Sequence, residues 1–160
     1  MNNPSTEKVK AILDFFRKRR TTYDNYISQN GLQRIITTCK SCGFPTLQLH
    51  PLRFHEICDL CNWQDDIQDD HDADKVYGGP NYISLTDSRI EFGLSLDENG
   101  FNMNASIIQK PEIILSGLKE YVKKMQNAES INKKSDDDFD RAFLILRNKL
   151  IEKIFKNPSF

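Results

Sequence analysis

The arrangement of the cysteines constrains the fold of this chain more than any other feature. The four cysteines form two pairs, Cys39 with Cys42 and Cys58 with Cys61, and fifteen residues separate the pairs. A C-x2-C-x15-C-x2-C pattern is typical of a zinc site in which two turns face each other around one tetrahedral ion. We therefore expect all four thiolates to bind a single Zn²⁺ ion.

Four protein ligands leave no open position on the metal, so the expected ion is structural rather than catalytic. Two disulfides, or unligated redox-active thiols, are the alternative interpretations of four cysteines. The chain begins with a polar segment that has no apolar signal region, and it contains no run of 18 apolar residues. We therefore expect a cytoplasmic protein that does not span a membrane, in a compartment whose reducing conditions disfavour disulfides.

Between the cysteine pairs, the sequence predicts a β-hairpin with strands at residues 46–50 and 54–57 and its tip at residues 51–53. Gly43 supplies the backbone freedom that a turn needs directly after a second cysteine. Trp63, the only tryptophan, is expected to pack beside the second pair. Its alternative role is that of an exposed binding residue.

Apolar side chains at helical spacing predict helices at residues 6–20, 111–126 and 136–156. The first of these carries one apolar stripe, made of Val9, Ile12, Leu13 and Phe16. Residues 17–20 are all basic and lie at its expected end, where cations favour the helix dipole. Contacts with a phosphate are the alternative explanation for these four charges.

Shorter elements are predicted around the cysteines. Residues 32–38 are expected to form a strand after an Asn-Gly turn, and Ser84 with Asp87 has the form of a capping box that opens a helix ending near Gly93. Residues 94–96 and 101–105 are expected to form a second hairpin.

These elements predict an α+β fold in which a small four-cysteine zinc ribbon, with its β-hairpin, packs against several helices. We expect one domain over residues 1–160. It divides into an N-terminal helix and strand (1–36), a zinc-binding module (37–93) and a C-terminal hairpin with two helices (94–160).

Charge is distributed unevenly along the chain. The net charge is only −1, but residues 54–98 contain twelve acidic residues against Lys75 and Arg89. Such a segment can attract a basic partner, or it can simply be solvated surface. The carboxylates expected to contact a partner are Asp65, Asp66, Asp69, Asp70, Asp72 and Asp74.

The motifs in this region resemble a known family. Thr-Cys-Lys-Ser-Cys-Gly-Phe at 38–44, Glu-Ile-Cys-Asp-Leu-Cys-Asn-Trp-Gln-Asp-Asp at 56–66 and Gly-Gly-Pro-Asn at 78–81, followed by Ser84-Leu85, resemble the bacterial cysteine-rich CPCC domain. Lys40 and Ser41 depart from that family's Pro-Cys, and Gln64 replaces an acid. The resemblance implies a zinc-ribbon-like module and a bacterial origin, but it implies no particular reaction.

Three classes of function are compatible with these features. The favoured hypothesis is a non-enzymatic protein-binding module, an immunity or antitoxin-like protein that neutralises a basic toxin domain through its acidic surface. The first alternative is a nucleic-acid-binding zinc-ribbon regulator, although residues 43–57 offer only Arg53 as a basic contact. The second is a hydrolase with a further metal ion held by the aspartates and His71, for which the sequence supplies no matching nucleophile or base.

Overall fold

The computed structural model describes residues 3–49, 55–127 and 133–156. It is mainly helical, with one small antiparallel sheet and two short helical turns, Asp70–Asp72 (3₁₀) and Glu152–Lys156 (π). The helices and strands are α1 (Thr6–Gln29), β1 (Ile36–Thr37), β2 (Leu47–Gln48), α2 (Leu85–Glu98), α3 (Ser106–Gln109), α4 (Glu112–Gln126) and α5 (Lys133–Ile151). An α+β description holds at this level.

Helix α1 begins where the side chain of Ser5 accepts a hydrogen bond from the backbone N–H of Lys8, and it continues well past residue 20. The predicted end was wrong because buried Tyr23 and Ile27 extend the apolar stripe by two further turns. The basic residues 17–20 therefore lie within the helix, too far from its C-terminus to interact favourably with the helix dipole there. The helix ends at the expected turn, where Gly31 adopts a φ of 68°.

The sheet pairs different segments from those expected. Ile36 of β1 lies opposite Gln48 of β2, so this hairpin encloses the first cysteine pair. Residues 54–57 were expected to pair with 46–50, but Ile57 instead forms an isolated antiparallel bridge with Gln64 across the second cysteine pair. Each pair is thus closed by its own strand contact. The predicted hairpin tip at 51–53 lies outside the described residues, as do His50 and Phe54.

The predicted helix start at Ser84 is confirmed, because Ser84 Oγ accepts from the Asp87 backbone N–H, and its hydroxyl donates to the Asp87 carboxylate. The predicted stop near Gly93 and the hairpin at 94–105 were wrong. Gly93 lies inside α2, and Leu96 is buried on its face. The turn residue Gly100, with a φ of 68°, ends the helix instead.

Helix α4 begins directly after Pro111, as predicted, and α5 begins at Lys133, three residues before the expected start. The two helices pack together, and the ring of Phe139 contacts those of Tyr121 and Phe143. Within the described part of the chain, no helix combines the length and the apolar character needed to cross a membrane.

Phe44 links the cysteine region to the helical core. Its side chain is fully buried and contacts the rings of Tyr23, Phe92 and Phe101, which come from α1, α2 and the segment after α2. Since Phe44 follows Cys42 by two residues, its burial fixes the first cysteine turn against α1 and α2.

Candidate metal centre

The two cysteine turns have the same backbone geometry. The Cys39 N–H donates to Phe44 O (2.8 Å), and the Cys58 N–H donates to Trp63 O (2.9 Å). In each turn the carbonyl of the first cysteine accepts from the residue four positions later, which is Gly43 or Asn62. Both of these residues have a positive φ, 75° for the glycine and 60° for the asparagine. Glycine and asparagine adopt this conformation most readily, so both turns suit their sequence.

The four thiols converge on one point. Their sulfur atoms all lie within 4.8 Å of one another, with Sγ–Sγ distances of 3.6 Å for Cys39–Cys61 and 3.7 Å for Cys42–Cys58. A tetrahedral ion with Zn–S bonds of about 2.3 Å requires sulfur separations of about 3.8 Å. A disulfide would require about 2.0 Å, and all four cysteines are free thiols. The cluster is therefore compatible with metal binding, and the disulfide alternative does not apply.

The surroundings of the thiols are mostly apolar. Cys39, Cys42 and Cys58 are buried, whereas Cys61 is partly exposed. Burial raises the pKa of the Cys39 and Cys42 thiols well above the usual range. Hydrogen bonds from the other three cysteines lower the pKa of Cys58, whose sulfur also lies 3.0 Å from Thr46 Oγ1. A cation that replaces the thiol protons would thus act on a cluster that is poorly solvated by water.

Two arginines from neighbouring helices hold the first turn. Arg19 Nε donates to Cys42 O (2.8 Å), and Arg89 Nε donates to Lys40 O (2.9 Å). Both arginines are buried, and the guanidinium of Arg89 lies 4.2 Å from the ring centre of Phe16. The sequence interpretation missed Arg19 because it treated residues 17–20 as one basic run at the end of the helix. The spacing of Ile12, Phe16 and Tyr23 places residue 19 on the buried face.

The second turn is held by Asn81, which follows the Gly-Gly-Pro segment. Its side chain accepts from the Gln64 N–H (3.1 Å), donates to Gln64 O (2.8 Å) and donates to the Asp66 carboxylate (3.2 Å). Trp63 is buried, which agrees with the packing role and excludes that of an exposed binding residue. The backbone N–H and the backbone C=O of Gln64, the residue after Trp63, are therefore both hydrogen-bonded to Asn81.

Two of the predicted partner-binding aspartates are used inside the molecule. Asp69 accepts two hydrogen bonds from Arg20 (2.7 and 3.0 Å) and pairs with Lys40 (3.2 Å). Asp70 pairs with Arg89 (2.8 Å). Burial alone would raise the pKa of Asp69, but the hydrogen bonds from Arg20 and Lys40 outweigh it and hold the pKa well below its usual range.

The other four aspartates accept local hydrogen bonds. Asp65 and Asp66 accept from backbone N–H groups two residues later, Asp72 accepts from the Asp69 N–H and the Tyr77 hydroxyl, and Asp74 accepts from the Thr86 hydroxyl. These carboxylates do not converge on a common point. Among the described residues, the four cysteines are the only group of three or more ligating side chains close enough to share an ion. The second metal site of the hydrolase alternative has no support there.

The phosphate alternative for residues 17–20 also finds no support. Arg17 pairs with Asp14 (3.0 Å), Arg19 is buried, and Arg20 pairs with Asp69. Three of the four basic groups are therefore occupied within the protein.

Comparison with known proteins identifies the cysteine-containing segment. No curated protein and no solved structure matches the chain significantly. Residues 37–96 match the family model described as cysteine-rich CPCC, and this segment holds both cysteine pairs, Asn81 and most of α2. Helices α1, α3, α4 and α5 lie outside it. The match confirms the resemblance, so residues 37–96 carry the cysteine-rich CPCC character of this protein.

Proposed function

We propose that this protein is a non-enzymatic, zinc-stabilised binding protein of the bacterial cytoplasm, whose CPCC segment takes a basic protein partner. The observation that carries the metal assignment is the convergence of four thiols at separations close to those of a tetrahedral tetrathiolate site. When bound, the ion supplies a cross-link between the two cysteine turns. Four protein ligands leave no position for water or substrate, which favours a structural role over a catalytic one.

Zinc fits this donor set better than the hard cations calcium and magnesium. Thiolates are soft ligands, which select zinc or iron in a tetrahedral arrangement, whereas calcium and magnesium require oxygen ligands. The side chains of Arg19, Arg89 and Asn81 make hydrogen bonds to backbone groups of the two cysteine turns and so orient these turns. Such contacts commonly support the ligands of a metal site.

The metal assignment is tested on protein purified under reducing conditions. We expect one zinc per chain by elemental analysis and loss of bound zinc in a Cys42→Ser variant. Replacement of zinc by Co²⁺ should give the visible spectrum of a tetrahedral tetrathiolate. Wild-type protein that binds no zinc after reconstitution, or binds it equally well without Cys42, contradicts the assignment.

The binding role is supported by exposed apolar side chains among the carboxylates of the CPCC segment. Ile67 and Tyr82 are 86% and 88% exposed, and each follows a residue of the hydrogen-bonded pair Asp66 and Asn81. Three more large apolar side chains are exposed nearby in the sequence: Ile57, Val76 and Tyr77. Exposed tyrosine and aliphatic side chains of this kind are typical of protein-binding surfaces.

A groove of about 290 Å³ lies beside Tyr82, which lines it together with Trp63 and Pro80. Asp65, Asp66 and Asp74 have no ion-pair partner among the described residues, so their charge is available to a cationic surface. These observations support a partner that is basic and partly apolar, such as a toxin domain with a cationic active surface. An immunity or antitoxin-like role follows as the finer proposal.

The binding role is tested by affinity capture from the native host, with a Tyr82→Ser and Ile67→Ser double variant as the probe of the surface. The matched control changes Leu144 and Ile145 of α5, which are also exposed, to serine. We expect wild-type protein and the control to retain the same basic protein, the surface variant to lose it, and co-expression to relieve that partner's toxicity. Equal capture by both variants contradicts the surface, and a captured partner with no toxicity contradicts the immunity role.

A further inference from the structure

Arg19 places a guanidinium inside the protein core next to the cysteine cluster. The residue is only 1% exposed. Its guanidinium carbon lies 4.7 Å from the ring centre of Phe15, 5.1 Å from that of Phe44 and 5.8 Å from that of Phe92. A buried cation costs several kcal/mol in lost hydration unless an anion lies close to it.

No carboxylate within the described residues pairs with Arg19, although each of the other buried or half-buried arginines near the first turn has one. Arg20 pairs with Asp69, and Arg89 pairs with Asp70. Arg19 Nε instead donates to the carbonyl oxygen of Cys42 (2.8 Å), which places the guanidinium against the first cysteine turn. The groups near enough to act on its charge are Cys42, Tyr23, Cys39 and Cys61. Tyr23 is buried and donates its hydroxyl hydrogen to Ile107 O (2.6 Å), so it stays neutral at physiological pH.

The cysteines are therefore the remaining source of negative charge for Arg19. Four neutral thiols would supply none. One Zn²⁺ ion with four thiolates carries a net charge of −2, which can balance a neighbouring cation. A guanidinium keeps its proton at neutral pH even when it is buried, so the Arg19 side chain is a cation.

We infer that Arg19 is the counterion of the metal-bound tetrathiolate, and that its positive charge strengthens zinc binding in addition to its packing role. This inference rests on the zinc site proposed above. Arg19 is a positioning residue, because it acts on the metal through Cys42 and through its field on the thiolates. The coupling is reciprocal, since loss of the metal leaves the Arg19 cation buried without an anion.

Arg89 provides a matched comparison. Like Arg19, it is buried, lies over a phenylalanine ring and donates its Nε hydrogen to a carbonyl of the first cysteine turn. Unlike Arg19, it has a carboxylate partner in Asp70. Substitution of either arginine removes a similar hydrogen bond, but only substitution of Arg19 removes the charge assigned to the metal site.

The test compares zinc affinities of the full-length protein by competition with a chromophoric chelator at neutral pH. Arg19→Gln keeps a hydrogen-bond donor but removes the charge, and we expect it to weaken zinc binding by about 10- to 100-fold. Arg19→Lys keeps the charge, and we expect it to recover most of that loss. Arg89→Gln should change the affinity less than Arg19→Gln.

The Co²⁺-loaded protein gives a readout that packing alone does not move. A nearby cation stabilises the sulfur electrons, so its removal should shift the sulfur-to-metal charge-transfer bands to longer wavelength in Arg19→Gln but not in Arg89→Gln. Equal zinc affinities of the wild-type and Arg19→Gln proteins, or equal losses in the glutamine and lysine variants, overturn the inference. If Arg19→Gln does not fold, the test rests on Arg19→Lys, which keeps the charge. We expect Arg19→Lys to fold and to bind zinc. An Arg19→Lys protein that fails to fold in the presence of zinc overturns the role of the charge.

These outcomes separate the inference from the proposal on which it rests. A wild-type protein that binds no zinc contradicts the metal site itself. A wild-type protein that binds zinc no more tightly than Arg19→Gln contradicts only the role assigned to Arg19.

Discussion

Gly93 of α2 lies directly against Ile12 of α1. A Cβ atom built on Gly93 would overlap Cγ2 of Ile12 and approach two further atoms of that side chain at 3.2 Å. The close approach of these two helices brings Phe44 and the first cysteine turn into contact with both of them. The absence of a side chain at position 93 therefore helps to define the frame in which the cysteines meet.

Gly93→Ala is expected to destabilise the protein even though alanine favours a helix by about 1 kcal/mol. The added methyl group has no room, and forced overpacking of a core costs about 1–3 kcal/mol. The steric overlap should dominate, because the branched side chain of Ile12 has few alternative rotamers. Chemical denaturation of the zinc-loaded protein measures the free energy of unfolding, which should be lower for Gly93→Ala than for the wild type.

Gly117→Ala in α4 is the matched control. Nothing lies within 4 Å of a Cβ at Gly117, so this substitution should stabilise the protein by up to about 1 kcal/mol. In an Ile12→Ala background the clash should be absent, so Gly93→Ala should lower the free energy of unfolding less than it does in the wild type. Equal effects of the two glycine substitutions would show that the α1–α2 contact does not depend on Gly93.

The ionic cluster around Asp69 gives a second prediction. Asp69→Asn removes the charge that Arg20 and Lys40 share, and we expect it to lower the free energy of unfolding at neutral pH by roughly 1–3 kcal/mol. Asp70→Asn is the control. Its carboxylate is 73% exposed, so its ion pair is screened by solvent and should contribute less than about 1 kcal/mol.

The effect of Asp69 has a defined pH dependence. Because its pKa is depressed in the folded state, its stabilising effect is complete above the unfolded value of about 3.9 and is lost as the pH falls through the folded value. The difference in free energy of unfolding between wild type and Asp69→Asn should therefore shrink below about pH 4. Both proteins carry the same cysteines, so protonation of the thiolates affects both alike. A difference that grows on acidification contradicts the assignment.

Local signals in the sequence predicted much of the cysteine region. The spacing of the cysteines predicted their convergence, and Gly43 and the Ser84–Asp87 box predicted a turn and a helix start that are both present. Each of these features depends on a few neighbouring residues. The chemistry of those residues is enough to specify the local backbone.

Long-range contacts account for most of the failures. Gly93 was predicted to end the helix because glycine disfavours helices. Its role is instead to leave room for the side chain of Ile12, which is distant in sequence. Residues 46–50 were expected to pair with residues 54–57, the segment that follows them in the chain, whereas β2 pairs with β1. The acidic segment was interpreted as open surface, and the positions of Arg20, Lys40 and Arg89 around Asp69 and Asp70 depend on tertiary packing.

Asn81 gives a third prediction. Asn81→Ala removes two hydrogen bonds to the Gln64 backbone and one to Asp66, and we expect a loss of about 2 kcal/mol in the free energy of unfolding. The second cysteine turn should also open more often, so zinc transfer to a chelator should be faster than in the wild type. Asn104→Ala, at an exposed position outside this region, is the control and should change neither quantity. An unchanged transfer rate in Asn81→Ala would show that Asn81 does not stabilise the turn.

Removal of the metal should unfold the protein unevenly, which gives the last prediction. The first cysteine turn reaches the core through Phe44, which contacts α1 and α2. The second turn contacts α5 through the partly exposed ion pair of Asp59 with Arg147 (3.1 Å), and α4 and α5 make their most extensive helix contacts with each other. Loss of the proposed zinc cross-link would release the two turns and leave the Arg19 cation buried, so α1 and α2 should lose stability first. After chelation, amide hydrogen exchange should accelerate at residues 36–48, 57–64 and 85–98 before it accelerates in α4 and α5. Uniform acceleration along the chain would instead mean that the metal stabilises the whole fold as one cooperative unit, in which the α4–α5 pair has no stability of its own.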